Sequence, residues 1–177
     1  MTARHRVLDG LPPYGPMPAQ FSVTGQGMHR EGFVVEFTPP GAPSWIGNFQ
    51  RGMTSLDVLI ASRGNTTVTV IAGGQAYVVE PAARSCVRAF GGQIEHAFAL
   101  ADRTVFSNGL WLEATDGERL LWRTRRLSWD GMMDVRVDGE RIVGNAYDPM
   151  NDEWTPFSVE VANGEAVGGS YPLDLPT

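Results

Sequence analysis

The chain has 177 residues, with 14 basic side chains that are all arginine, 20 acidic side chains and a net charge of −6. The absence of lysine excludes a lysine Schiff base, a phosphate-binding P-loop lysine and a lysine general base. The acidic balance argues against nucleic-acid binding, which needs clustered cations that neutralise phosphates.

The first segment of the chain predicts no helix. Residues 10–19 read GLPPYGPMPA, and proline lacks the backbone donor that a helix needs while its ring clashes with the preceding turn. We therefore expect residues 1–19 to form an extended lead-in rich in proline and glycine. Residues 20–177 are expected to form a single β-rich domain, because a chain of this size buries roughly 70% of its unfolded surface around one core.

Short apolar runs with a period of two predict strands along most of the remaining chain. Successive side chains of a strand point to opposite faces, whereas the positions on one face of a helix repeat every 3.6 residues. The alternating runs are residues 21–24, 33–37, 68–71 and 135–138. Residues 53–62, MTSLDVLIAS, fit a helix or a strand equally well because β-branched residues occur in a segment whose length suits either.

Asparagine-glycine and aspartate-glycine pairs predict tight turns between the strands of the second half. Such pairs supply the positive φ angles that hairpin turns require. They occur at Asn108-Gly109, Asp116-Gly117, Asp130-Gly131, Asp138-Gly139 and Asn163-Gly164. The chain is therefore predicted to be all-β, an antiparallel meander of repeated hairpins.

A weak internal repeat leaves two arrangements of these hairpins open. Two apolar residues, a glycine turn and an aromatic residue recur about every 35 residues, in segments 70–77, 105–111 and 142–147. Repeats of this length are typical of small propeller-like arrays with four strands in each blade. Hairpins of ordinary length in a twisted sandwich give the same spacing.

Four segments carry a resemblance to known proteins. They are GGQAY (73–77), SWDG (128–131), DPMNDEWTPF (148–157) and GGSYP (168–172). Over roughly residues 65–172 the chain resembles small uncharacterised bacterial β-repeat proteins. This resemblance implies a β-rich fold and implies no activity and no catalytic residue.

The residues that most often carry catalysis do not form a recognisable motif. His5, His29 and His96 lie on separate segments without metal-ligand spacing, and no nucleophile-elbow motif is present. Arg84 and Arg88 flank Cys86 and could lower the pKa of its thiol, although a cysteine in such a segment is more often an inert residue that fills the core. We expect no cofactor, no metal and no catalytic residue.

Oxygen ligands and carboxylate pairs give only weak signals. Asp148, Asn151, Asp152 and Glu153 form the densest oxygen cluster, but the calcium-loop spacing is missing and Pro149 indicates a surface turn. Glu113 and Asp148 could serve glycoside hydrolysis if the fold held them at the required separation. Solvated hairpin charges explain these residues equally well.

Four of the 14 arginines form one short basic cluster. Arg119, Arg123, Arg125 and Arg126 predict either a solvated strand edge or a face toward an acidic partner.

Tryptophan residues provide the residue-level prediction of a binding site. The chain contains Trp45, Trp111, Trp122, Trp129 and Trp154. Trp111 and Trp122 fall in predicted strands, whereas Trp129 and Trp154 adjoin turns that also carry carboxylates. Aromatic side chains anchor both protein interfaces and sugar-stacking platforms. The predicted binding residues are Trp129, Asp130, Asp148, Asp152 and Trp154.

Together these features predict a non-enzymatic binding protein that offers a rigid acidic β surface to another protein, for example as an inhibitor or immunity-type partner. The alternative is a carbohydrate or small-molecule binder, or a hydrolase, that uses carboxylates beside tryptophan. No nucleic acid or membrane is expected as a partner, because the chain is acidic and lacks an apolar run of 18 residues. A single cysteine cannot form an internal disulfide, which favours the reducing cytoplasm.

Overall fold

The computed structural model describes residues 4–24, 30–62, 64, 66–117 and 119–172. Within these ranges the chain forms strands, turns and loops and no helix, so the predicted all-β class is confirmed. The strands are β1 (Arg4–Leu8), β2 (Ala19–Phe21), β3 (Phe33–Thr38), β4 (Trp45–Phe49), β5 (Val58–Ala61), β6 (Val68–Ala72), β7 (Gln75–Glu80), β8 (Ser85–Gly91), β9 (His96–Ala99), β10 (Thr104–Ser107), β11 (Leu112–Thr115), β12 (Leu120–Arg123), β13 (Met132–Asp138), β14 (Arg141–Asp148), β15 (Glu153–Glu160) and β16 (Ala166–Gly168).

These strands form four sheets of four strands each. Three of the sheets are meanders in which every strand pairs antiparallel with the next one along the chain, and their orders are β5-β6-β7-β8, β12-β11-β10-β9 and β13-β14-β15-β16. A four-stranded meander is the strand order of a propeller blade. The predicted antiparallel meander of repeated hairpins is therefore confirmed for these three sheets.

The first sheet has a different order, β1-β3-β4-β2. Its β1 strand lies within the segment predicted as a lead-in, yet pairs along its whole length with β3. Its β2 strand pairs parallel with β4, whereas the other pairs of this sheet are antiparallel. The division into a lead-in and one domain over residues 20–177 stays a prediction.

The chain divides into two compact units, Met1–Ile94 and Glu95–Thr177, called here unit 1 and unit 2. In unit 1 the sheet β1-β3-β4-β2 and the sheet β5-β6-β7-β8 share one hydrophobic core. Alternate residues of β3, namely Phe33, Val35 and Phe37, enter this core, as the period of two requires. Each buried aromatic or aliphatic side chain of this kind stabilises the fold by about 1.5–3 kcal/mol.

Unit 2 is built in the same way from its two meanders. Its core contains Leu112 and Ala114 from β11 together with Ile142 from β14 and Val159 from β15. Two sheets that pack through their apolar faces form a sandwich-like core. Ile142 and Ala146 of β14 both belong to this core, and β14 leads into the candidate site described below.

The predicted turn pairs occur where neighbouring strands are connected, with one exception. Asn108-Gly109, Asp116-Gly117, Asp138-Gly139 and Asn163-Gly164 each lie between two strands that pair, and each of their glycines has a positive φ. Asp130-Gly131 instead connects β12 to β13, which belong to different sheets of unit 2. That prediction of a hairpin was wrong, because a positive φ at glycine permits any sharp change of direction.

The strand positions also test the ambiguous segment 53–62 and the proposed internal repeat. Residues 58–61 of the ambiguous segment form β5, so the strand interpretation was right there. The third copy of the proposed repeat was misaligned, because Gly144 lies inside β14 and not at a turn. Gly144 is required there for another reason, since a side chain would collide with the Phe157 ring.

In the part of the chain that the structure describes, there is no helix with the length and apolar character needed to span a membrane.

Candidate functional site

The site begins with the hairpin formed by β14 and β15. Tyr147 on β14 lies opposite Trp154 on β15, and the centroids of the two rings are 5.0 Å apart at an interplanar angle of 41°. Cross-strand aromatic pairs of this kind stabilise a hairpin and restrict both rings. Trp154 nevertheless keeps 45% of its surface exposed. Its ring is therefore held in a defined position while remaining accessible.

The turn that follows β14 is stabilised by its own carboxylates. The carboxylate of Asp148 accepts hydrogen bonds from the backbone N–H of Met150, at 2.9 Å, and from the side-chain amide of Asn151, at 2.8 Å. Asp152 adopts a left-handed backbone with φ of 53° and accepts a 2.8 Å hydrogen bond from the Tyr147 hydroxyl. Met150, in the middle of this turn, keeps 82% of its surface exposed.

We refer to Tyr147, Asp148, Met150, Asp152 and Trp154 as the hairpin tip. The base of the hairpin tip is attached to the connection between β12 and β13. The backbone N–H of Tyr147 donates to the carbonyl of Gly131, at 3.2 Å. The hydroxyl of Ser170 donates to the Tyr147 carbonyl at 2.6 Å and accepts from the backbone N–H of Trp129 at 3.3 Å. Trp129 and the hairpin tip therefore belong to one hydrogen-bonded assembly.

Trp129 is packed more firmly than Trp154. It is half-buried, and its ring lies against that of buried Tyr171 with a centroid distance of 4.6 Å. The Arg126 guanidinium lies 4.7 Å from the centroid of Tyr171 and 5.8 Å from that of Trp129. The same guanidinium donates to the carbonyls of Ser128 and Trp129. Trp129 therefore supports the site by packing and offers only part of its ring to a ligand.

The hairpin tip and its surroundings are negatively charged. The hydrogen bond to Asp152 raises the pKa of the Tyr147 phenol, and desolvation and the charges of Asp152, Asp130 and Asp148 raise it further. Partial burial raises the pKa of the Glu95 carboxyl, to which the charge of Asp130 also contributes. The ion pairs found between described residues do not include Asp130, Asp148 or Asp152. This acidic surface is therefore not neutralised by neighbouring arginines.

The structure brings the five predicted residues into one neighbourhood of unit 2. Asp148, Asp152 and Trp154 belong to the hairpin tip, and Trp129 and Asp130 lie at its base. Their role in binding stays a prediction. Tyr147 and Met150 were not among the predicted binding residues, although Tyr147 directly precedes the DPMND turn and Met150 is its middle residue.

The basic segment does not provide a free cationic face. Arg119 pairs with Asp116, and Arg123 pairs with Glu113. Arg125 donates to the carbonyls of Arg126, Tyr171 and Gly168, and Arg126 is engaged as described above. Arg119 and Arg123 thus form exposed ion pairs, which agrees with their interpretation as a solvated strand edge. Arg125 and Arg126 instead stabilise unit 2 through contacts with backbone carbonyls.

Glu113 and Asp148, the carboxylate pair considered for glycoside hydrolysis, both accept hydrogen bonds from other residues of the protein. Glu113 accepts hydrogen bonds from Arg123 at 2.9 Å and 2.8 Å, and Asp148 accepts the two turn hydrogen bonds given above. Acid–base catalysis needs a carboxyl that can exchange its proton with a substrate. Both carboxylates instead have structural partners.

The cysteine and the histidines were considered as possible reactive or metal-binding residues. The pKa of the Cys86 thiol is raised, with partial burial of the sulfur as the largest cause, so the alternative in which the neighbouring arginines lower it is not supported. The expectation that Cys86 fills the core was wrong, because its side chain is exposed. Burial also lowers the pKa of His96. His29 lies outside the described residues. Among the residues described, no group of three or more His, Cys, Asp or Glu side chains is placed to hold a metal ion.

No family model matches the chain, and no curated protein matches it. Among solved structures, the chain is similar to the N-terminal domain of Nup159, with 13% identity and a TM-score of 0.43 over 68% of this chain and 35% of that one. It is also similar to a chain in the S. cerevisiae complex of a Dbp5 variant bound to Nup159, Gle1, IP6 and ADP, with 13% identity and a TM-score of 0.43 over 67% of this chain and 34% of that one. The chain thus spans about a third of the length of these solved structures.

Proposed function

We propose that the chain is a binding protein and that the hairpin tip docks on a basic surface of a partner protein. The observation that carries this proposal is the exposure of two side chains, Met150 (82%) on a turn fixed by its own hydrogen bonds and Trp154 (45%) on the strand that follows this turn. Binding residues are often carried on short connections that a rigid fold positions.

The residue types at the hairpin tip favour a protein as the ligand. Tryptophan is enriched among residues whose truncation weakens protein interfaces, and methionine is enriched at interfaces in general. The Tyr147 ring and its hydroxyl bond to Asp152 hold Trp154 and the turn in one arrangement before binding. A side chain that is already ordered loses less conformational entropy when a partner covers it.

The charge of the site specifies the kind of partner surface. The charges of Asp130, Asp148 and Asp152 all act on Tyr147 at the centre of the hairpin tip, and ion pairs between described residues do not neutralise them. Complementary charge accelerates association and selects against partners of the same sign. The partner surface is therefore expected to be rich in lysine or arginine around an apolar pocket.

Affinity capture with matched variants tests this proposal. The whole chain is immobilised as the wild type, as Trp154→Ala with Met150→Ala, and as the control Met17→Ala with Met53→Ala. Met17 and Met53 are exposed at 83% and 78% but lie in unit 1. We expect a basic protein to be retained by the wild type and the control and lost from the hairpin-tip variant. Equal retention by all three chains would exclude the hairpin tip as the docking site.

A further inference from the structure

Unit 2 also contains a groove, which lies at the end of the sheet β13-β14-β15-β16 opposite to the hairpin tip. This groove of about 800 Å³ is bounded by the β9–β10 turn, the β13–β14 turn and the residues that follow β15. Arg141, which begins β14, lines this groove, whereas Asp148, which ends β14, belongs to the hairpin tip. Seven residue steps of a strand span roughly 23 Å, so the groove and the hairpin tip are separate sites.

The cations of the groove are already used by the protein. Arg103 donates to both carboxylate oxygens of Asp102, at 2.9 Å and 2.5 Å, and to the carbonyls of Val161 and Ala162, each at 2.8 Å. Arg141 donates to the Ser158 hydroxyl at 2.5 Å and to Glu160 at 3.3 Å. Neither guanidinium is therefore well placed to capture an anionic ligand.

Two carboxylates remain available. The groove contains four carboxylates and two guanidiniums, and the pairs Asp102–Arg103 and Glu160–Arg141 account for two of each. Asp138 and Glu140 are left, which gives the groove a net charge of −2. Both side chains are exposed, and neither carboxylate has a hydrogen-bond or ion-pair partner among the described residues.

The groove also has an apolar surface. Leu100 and Val161 line it and are themselves packed against the core of unit 2, so their positions are fixed by the fold. The hydrogen bonds from Arg103 to Val161 and Ala162 connect the β9–β10 turn to the residues after β15. A groove of this volume lies in the range of small-molecule sites, which combine apolar walls with a few polar groups.

We propose that this groove binds a small aliphatic diamine, with its methylene chain against Leu100 and Val161 and its ammonium groups at Asp138 and Glu140. The two carboxylates match two positive charges, and the apolar wall matches the chain between them. Because both carboxylates are exposed, binding weakens as salt screens the charges.

Isothermal titration of the whole chain with 1,5-diaminopentane at low ionic strength tests the proposal. The double variant Asp138→Asn with Glu140→Gln is expected to weaken binding by about tenfold, because it removes both negative charges and exposed ion pairs contribute only modestly. The control Asp9→Asn with Glu153→Gln removes the same charge from exposed carboxylates outside the groove and is expected to bind as the wild type does. Equal weakening by both variants would show non-specific attraction and would overturn the proposal.

Four comparison ligands identify the chemistry that the groove recognises. Pentylamine, with one charge, and ethylenediamine, with a short chain, are each expected to bind more weakly than 1,5-diaminopentane. Calcium chloride tests for a simple cation site, and binding of calcium as tight as that of the diamine would contradict the proposal. A lysine-rich peptide that binds more tightly than the diamine would assign the groove to a protein partner instead, and would also contradict it.

Discussion

Tyr147 and Trp154 face each other across β14 and β15 with their ring centroids 5.0 Å apart, and the Tyr147 hydroxyl donates to Asp152 at the end of the same turn. The aromatic pair thus connects the two strands of the hairpin, and the hydrogen bond connects β14 to the turn between them. This arrangement explains how Trp154 can be exposed and still ordered. Trp129 differs from Trp154 in this respect, because its ring is fixed by contacts with Tyr171 and Arg126.

Removal of Trp129 is expected to destabilise unit 2. Trp129→Ala loses the contact with Tyr171 and leaves Arg126 without one of its aromatic partners, which costs about 3 kcal/mol in the free energy of unfolding. Trp129→Phe keeps an aromatic ring and should recover most of this loss. Urea denaturation measures both values, and an unchanged midpoint for Trp129→Ala would show that its packing contributes little.

Stability is expected to fall in alkaline solution because of Tyr77. Burial, with a contribution from Cys86, raises the pKa of this phenol to about 12, and its hydroxyl donates to the Gln50 carbonyl at 2.9 Å. A phenol with a raised pKa in the folded state favours folding below its ordinary pKa of about 10. That contribution is lost as the pH rises from about 10 through about 12.

Chemical denaturation between pH 9 and pH 12 tests this dependence. Tyr77→Phe is expected to be less stable than the wild type at neutral pH, because the hydrogen bond to Gln50 is lost. Its stability should also change less steeply with alkaline pH. Identical pH profiles for the two proteins would contradict the role of Tyr77.

The hairpin between β6 and β7 is expected to depend on its glycines. Gly74 has a φ of +82°, and an added Cβ would lie 2.4 Å from the Thr54 hydroxyl and 2.7 Å from the Ile94 carbonyl. Gly74→Ala therefore combines backbone strain with a collision and should cost about 3 kcal/mol or more. Gly41→Ala is the control, because its φ is +71° and its surroundings are open. It should cost only about 1 kcal/mol, and equal thermal shifts for the two variants would contradict this account.

Cys86 is expected to be dispensable. Its side chain is exposed, its thiol donates to the Arg88 carbonyl, and its raised pKa disfavours the reactive thiolate. Cys86→Ser should change the stability by no more than about 0.5 kcal/mol and leave partner capture intact. Loss of capture by a folded Cys86→Ser protein would assign it a function that this structure does not explain.

The hairpins were predicted well from the sequence, because the residues that form a tight turn are neighbours in the chain. Asn108-Gly109 and Asp138-Gly139 both connect paired strands, as their φ requirements indicate. The first sheet could not be predicted in this way. Pairing of Arg4 with Thr38 and of Ala19 with Gly47 joins residues far apart in the chain, and such pairing depends on packing more than on a turn signal.

The candidate site was predicted in part. Tryptophan beside carboxylates indicated Trp154 and Asp152, but the central position of Tyr147 was missed. The proposed repeat placed a turn at Gly144, whereas the chain turns at Asp148, whose carboxylate forms the hydrogen bonds that stabilise this turn. A turn built on side-chain hydrogen bonds has a weaker sequence signal than one built on glycine.

The most direct test of the proposed docking site compares binding and folding in Trp154→Ala. Once a partner has been captured, its Kd and the melting temperature of the chain are measured for the wild type and the variant. We predict that Kd rises by about 30-fold, equivalent to about 2 kcal/mol, while the melting temperature stays nearly constant because Trp154 is 45% exposed. An unchanged Kd, or a large fall in melting temperature, would contradict the assignment of Trp154 as an interface anchor.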